Sequence, residues 1–211
     1  MDAAAITGIL QQDLPGAAFE VAPSIDQPTL YVPREHLVAT SLLLRDSPPL
    51  NFRLLVELTA VDWLSRDPRF EVVYHLACLG RTGPEVVTGR AVDPALRPAR
   101  LRLKVRVPSA DARLPTVVDV WPAAEWLERE VWDLFGIAFD GHPDMRRLMM
   151  PDDWEGHPLR KDYPVQVDVA ATTSSPLQLT EEQFLANLAR SRRPATPSGP
   201  AQGAPPREDG A

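Results

Sequence analysis

The run FEVVYHLACL at Phe70–Leu79 is almost continuously apolar and rich in β-branched and aromatic residues. It is too short for a bilayer span and has no polar face, so it reads as a central strand buried on both faces. A strand of that kind needs a neighbour on each edge, which commits the chain to a layered fold. RLRLKVRV at Arg100–Val107 supplies one neighbour. Leu101, Leu103, Val105 and Val107 face one way, and Arg100, Arg102, Lys104 and Arg106 the other. Its basic side is either a partner surface or a solvated sheet face. Phe52–Val61 is the third long strand.

Shorter elements surround these. Ile6, Ile9 and Leu10 stand at helical spacing within residues 3–12. Phe19–Val21 and Thr29–Val32 read as strands about a turn containing Pro23, Asp26 and Pro28. Pro33 suits the first turn of a helix running to about Arg45. Pro122 opens PAAEWLEREVWDLF, and Gly136 is placed to end that helix. Mixed strands and helices in this order predict an α/β fold over residues 1–137, a two-layer sandwich of a mixed sheet with packed helices.

Composition removes several functions. The single cysteine, Cys78, excludes an internal disulfide and falls short of the roughly four thiolates an iron–sulfur cluster takes. No G-x-G-x-x-G and no phosphate loop is present. The net charge of −7 argues against nucleic acid. No apolar run approaches the ~18–20 residues of a membrane span, and the start lacks a signal peptide's basic flank, so cytoplasm is the expected setting. Arginine outnumbers lysine 20 to 2, a bias that makes any single arginine uninformative.

After Gly136 the character changes. Residues 138–165 combine prolines, charge of both signs and large apolar residues without periodicity. With few hydrogen-bonded elements to offset its ordering entropy, this stretch is expected to lie on another protein as an extended arm over residues 138–175. A short amphipathic helix is predicted at 176–190, around Phe184, Leu185 and Leu188. Residues 191–211, rich in Pro and Ala, are expected to be a disordered tail.

Charged residues cluster in the helix and the arm. Glu125, Arg129 and Asp133 form an i, i+4, i+8 ladder expected on the helix surface. Glu130 sits at the edge of the apolar stripe and needs a partner, for which Arg146, Arg147 and Arg160 are candidates. His142, Asp144, Asp152, Asp153 and His157 lack metal-ligand spacing, and the His-Pro pairs read as stiff turns. Lys161 and Tyr163 make only a weak acid/base pair. No catalytic, cofactor-binding or metal site is expected on the chain.

The order Glu128-Arg129-Glu130-x-x-Asp133-Leu134-Phe135, then His142, then Arg146-Arg147-Leu148, with GHPLRKDYP at Gly156–Pro164, resembles the C subunit of NADH-quinone oxidoreductase, of the respiratory complex I family. VVDVWPAAEWLERE at Val117–Glu130 resembles the same family. The resemblance implies an α/β domain in the peripheral arm, on the cytoplasmic side of the inner membrane, with a C-terminal segment wrapping the neighbouring D subunit. It implies no cofactor on this chain, while FMN, iron–sulfur clusters and quinone serve the complex. The complex moves electrons from NADH to quinone and couples this to proton translocation. Glu128, Arg129, Glu130, Asp133, His142, Arg146, Arg147, His157, Arg160, Lys161 and Tyr163 are then expected as signature and docking residues. The equivalent subunit of a membrane-bound hydrogenase or formate hydrogenlyase is the alternative.

Overall fold

A computed structural model describes residues 2–80 and 97–164. Helix α1 (Ala3–Asp13) precedes two short strands, β1 (Glu20–Ala22) and β2 (Thr29–Tyr31). A 3₁₀ turn at Arg34–His36 leads into α2 (Leu37–Asp46). The long strands β3 (Leu54–Asp62), β4 (Phe70–Cys78) and β5 (Ala99–Val107) follow. Two short strands, β6 (Arg113–Pro115) and β7 (Ala138–Asp140), flank helix α3 (Ala124–Phe135).

Five strands form one mixed sheet in the order β1-β2-β5-β4-β3, parallel only between β2 and β5. β4 is an interior strand with β5 as a neighbour, as the two patterns predict, while the middle place of the five belongs to β5. Their antiparallel register sets Phe70, Val72, Tyr74 and Leu76 opposite Val107, Val105, Leu103 and Leu101. These residues, with Ile6 and Leu10 of α1, Leu37 and Leu44 of α2 and Val131 of α3, form a single buried core. Trp121 closes it, its indole N–H donating to the Phe52 carbonyl at 3.0 Å. Asp62 is the buried end of β3 and meets residues of the arm.

On the opposite sheet face Arg102, Lys104 and Arg106 of the basic side of β5 are paired within the chain. Arg106 pairs with Glu20 at 2.7 Å, Lys104 with Glu71 at 3.0 Å, and Arg102 with Asp26 at 2.6 Å. Tyr31 also donates its hydroxyl to Glu71 and lies 3.8 Å under the Arg106 guanidinium.

Two expectations about residues 138 onward need correction. The α/β fold does not stop at 137, because Ala138–Asp140 pairs in parallel with Arg113–Pro115 as a separate two-stranded sheet. Residues 141–164 are also not short of bonds within the chain; they lie against α3. The missing stabilisation comes from side chains of α3 that bind the arm's backbone directly. The rest of the predicted 138–175 arm, the 176–190 helix and the 191–211 tail fall outside the described residues.

Candidate functional site

Every α-helix leaves its last four carbonyls without an intrahelical donor. Gly136 ends α3 in the left-handed region (φ 72°), and its N–H returns to the Trp132 carbonyl at 2.8 Å. The following carbonyls are taken by the arm. Asp133 O meets His157 Nδ1 at 2.9 Å, and Leu134 O accepts from the Leu159 N–H at 3.0 Å. Arg160 donates Nε to Phe135 O at 2.5 Å and Nη2 to Gly136 O at 3.3 Å. A guanidinium there also suits the negative end of the helix dipole. A Cβ on Gly136 would come within 2.5 Å of Arg160 Nη2. Gly136→Ala combines that clash with an unfavourable left-handed alanine, and is expected to cost roughly 2–3 kcal/mol in chemical denaturation.

The core of the clasp is Asp133, which is fully buried. One oxygen, Oδ2, accepts three successive backbone N–H groups, from Leu148 at 3.0 Å, Met149 at 2.8 Å and Met150 at 2.9 Å. The other, Oδ1, accepts from Arg147 Nη1 at 2.6 Å. Burial pushes its pKa up, but the Met150 N–H, Arg147 and the other two N–H groups outweigh that and hold it below the usual range. Arg147 in turn donates Nη2 to the carbonyls of Trp154 (2.6 Å) and Gly156 (3.2 Å). Arg129 works from the previous turn, donating to the carbonyls of Arg146 and Arg147, both at 3.2 Å.

The two histidines anchor opposite ends of α3. His142 bonds the Glu125 carbonyl through Nε2 at 3.0 Å and accepts the Asp144 N–H at Nδ1. Burial pushes the His157 pKa down, and its ring lies edge-on to Trp132. Eight residues of helix, about 12 Å, separate their two carbonyl partners. Among the described residues no group of three or more His, Cys, Asp or Glu could hold a metal ion.

The far end of the arm is tied to the sheet by residues that sequence reasoning passed over. Arg69 binds Asp62 at 2.7 Å and Asp162 at 2.7 Å, bridging β3 to the arm. Asp62 also accepts the Lys161 N–H at 2.9 Å; the Arg69 bond is the chief reason its pKa lies well below the usual range. Nothing in the local pattern marks this triad, because its members are 7 and 93 positions apart. Lys161 and Tyr163 do not meet as an acid/base pair. The Lys161 ammonium stands over Trp63, while Tyr163 donates its hydroxyl to the Glu155 carbonyl at 3.1 Å and stacks on Trp154.

Three expectations about α3 change. Arg129 and Asp133 do not sit on a surface ladder; they are buried beneath the arm. Glu130 is not the tie between helix and arm, since it is half-buried and makes no side-chain hydrogen bond or ion pair among the described residues. Glu130→Gln is therefore expected to leave the denaturation midpoint within about 0.5 kcal/mol of wild type. Glu128 cannot reach a partner directly, being fully buried on the other side of the helix. It accepts the Thr116 hydroxyl at 2.6 Å and the Val117 N–H at 2.8 Å. Burial is the chief cause of a pKa pushed up to about 7.

Known proteins share this fold and sequence. The family model of the respiratory-chain NADH dehydrogenase 30 kDa subunit matches residues 30–169. The C subunit of NADH-quinone oxidoreductase from Roseiflexus sp. (strain RS-1) is 40% identical over 82% of this chain and 90% of its own length. The C/D subunit of NADH-quinone oxidoreductase from Methylococcus capsulatus is 44% identical over 73% of this chain, which corresponds to 24% of that longer protein. Among solved structures, a chain of the membrane-bound sulfane sulfur reductase, an archaeal respiratory membrane complex, superposes with a TM-score of 0.59 at 28% identity, covering 84% of this chain and 95% of that one. The chain belongs to the family of the respiratory-chain NADH dehydrogenase 30 kDa subunit, the C subunit of NADH-quinone oxidoreductase.

Proposed function

We propose that the chain is a peripheral-arm subunit that carries no cofactor of its own and serves assembly of NADH-quinone oxidoreductase by docking on the D subunit. The complex takes electrons from NADH through FMN and iron–sulfur clusters to quinone and couples their passage to proton translocation. The observation that carries the docking partner is the fused C/D relative, in which a piece matching this chain is covalently joined to a longer partner. The chemistry of the clasp supports a structural role, since its charged groups bind backbone or each other and present no nucleophile beside a base. No described helix is long and apolar enough to cross a membrane, so attachment to the cytoplasmic face of the inner membrane would run through the complex.

Tagging the chain in its native host, solubilising membranes gently and staining a native gel for NADH dehydrogenase activity tests this reading. The chain is expected in a large active assembly with flavin and iron. Recovery only as a free protein, under conditions that keep the complex whole, overturns it. A second reading is the equivalent subunit of a membrane-bound hydrogenase or formate hydrogenlyase; a chain of this fold also stands in the archaeal sulfane sulfur reductase, a respiratory membrane complex of another kind. An assembly with neither flavin nor NADH oxidation would select that one.

A further inference from the structure

Helix α3 lies lengthwise over the long strands, and two contacts fix its ends. At its entrance Trp121 donates to the Phe52 carbonyl, just before β3, whose first residue Leu54 pairs with Ala77 near the end of β4. At its exit Arg160, which caps the Phe135 carbonyl, stands 5.4 Å over the Phe70 ring at the start of β4. The stripe turned to the sheet is Ala124, Glu128, Val131 and Phe135, all buried at helical spacing. Glu128 is the polar member of that stripe and stands in its middle. On β4 the core face runs Phe70, Val72, Tyr74, Leu76 and Cys78, so its middle is Tyr74. A carboxyl and a phenol therefore hold the centres of two facing surfaces that are otherwise apolar.

The protein alone satisfies neither group. Tyr74 is fully buried and its hydroxyl has no hydrogen-bond partner, a costly state for a buried polar group. Burial, and after it the Glu128 charge, push the Tyr74 pKa up, so the two side chains feel each other without bonding directly. Burial also keeps the proton on Glu128 up to a pH of about 7. With Thr116 and the Val117 N–H as donors to its two oxygens, the acid O–H has no acceptor of its own. Nearby charges are engaged elsewhere. On α3, Arg129 and Asp133 turn to the arm, and on α2, Arg45 binds Asp46 and the carbonyls of Asp119 and Val120.

We infer that an internal water sits between Tyr74 and Glu128, accepting the acid O–H and bonding the phenol hydroxyl, so that the motif helix is seated on the sheet through a bound water. Water is the ligand this chemistry selects, because it is small and both donates and accepts. Buried waters bridge polar groups of this kind, typically with about three hydrogen bonds. An anion would meet the carboxyl's charge, and a cation would find a single carboxylate. Thr40 and Ser41 of α2 are also fully buried without a partner. A helical hydroxyl, however, has the carbonyl four residues back within a χ1 rotation, whereas Tyr74 on its strand has no such local acceptor. Nothing in this seat depends on a partner subunit.

The test compares the full wild-type chain with Tyr74→Phe below pH 7, where Glu128 keeps its proton. Phenylalanine retains the ring and removes only the hydroxyl. With a bridging water the variant loses a bonded group, and its Tm is expected to fall by roughly 2–5 °C. With an orphaned hydroxyl the same change relieves a buried polar group, so an unchanged or raised Tm overturns the inference. A crystal structure of the wild-type chain, at a resolution that shows ordered water, gives the direct view. One water is expected within about 3.2 Å of both Tyr74 Oη and a Glu128 oxygen, and it should be missing from Tyr74→Phe. Tyr74 Oη bonded instead to Glu128 or to another protein atom overturns the inference, as does a wild-type structure with no water at that place.

Discussion

Asp133→Asn is expected to cost about 3–5 kcal/mol, the scale of removing one partner from a buried ion pair. The substitution leaves Arg147, whose side chain is only 14% exposed, without its counter-ion. It also risks setting an amide NH₂ against three backbone donors that now share one carboxylate oxygen. In a chain of this size the loss corresponds to a fall in Tm on the order of 10 °C. Hydrogen exchange adds a local readout, because the amides of Leu148, Met149 and Met150 should lose protection more than those of β4. A cost below about 1 kcal/mol, with those three amides still protected, would show that something other than this carboxylate holds the arm.

Glu128 yields the second large effect, with the opposite pH sense. Its pKa in the folded chain is about 7 against an ordinary 4.5, so between those values the folded state binds the proton that the unfolded state has released. Stability from this group is complete below pH 4.5 and is lost as pH rises through 7. The 2.5-unit difference amounts to about 3 kcal/mol at 1.36 kcal/mol per unit. Glu128→Gln keeps a neutral group facing Thr116 and the Val117 N–H and has no proton to lose. Urea denaturation from about pH 4 to about pH 8 should therefore show wild type losing about 3 kcal/mol relative to the variant. Parallel pH profiles would mean that Glu128 is compensated by a charge. Asp133 and Asp62 pull the other way, since their lowered pKa values give stability that is lost as pH falls.

What was legible in the sequence followed period and punctuation. Strands β4 and β5 carry clean patterns over nine residues each, and α3 is bounded by Pro122 and Gly136, so these elements stand where the patterns put them. Strands β6 and β7 have three residues each, too few to show any period. The arm escapes a pattern-based reading for a different reason. Its stability comes from backbone groups meeting side chains, and the N–H of Leu148 or the carbonyl of Trp154 leaves no trace in residue identity. Glu128, Arg129 and Asp133 read together as one motif. Spacing alone could not separate Asp133 and Arg129, which face the arm, from Glu128, which is buried against Thr116. Glu130, polar beside an apolar stripe, was the plausible tie, and its actual place on the helix leaves it unpaired among the described residues.

The dependence of α3 on residues 157–160 for its final caps has a consequence for how the chain is made. Phe135 leaves the ribosome 25 residues ahead of Arg160, the residue that takes its carbonyl. At about 5–20 residues per second, that is a wait of roughly 1–5 s. Throughout that interval the helix end can only fray, and the Asp133 carboxylate, whose donors arrive at residues 147–150, must stay in water. Vectorial synthesis thus completes the central strands first and locks the motif helix last, when Gly156–Pro164 emerges.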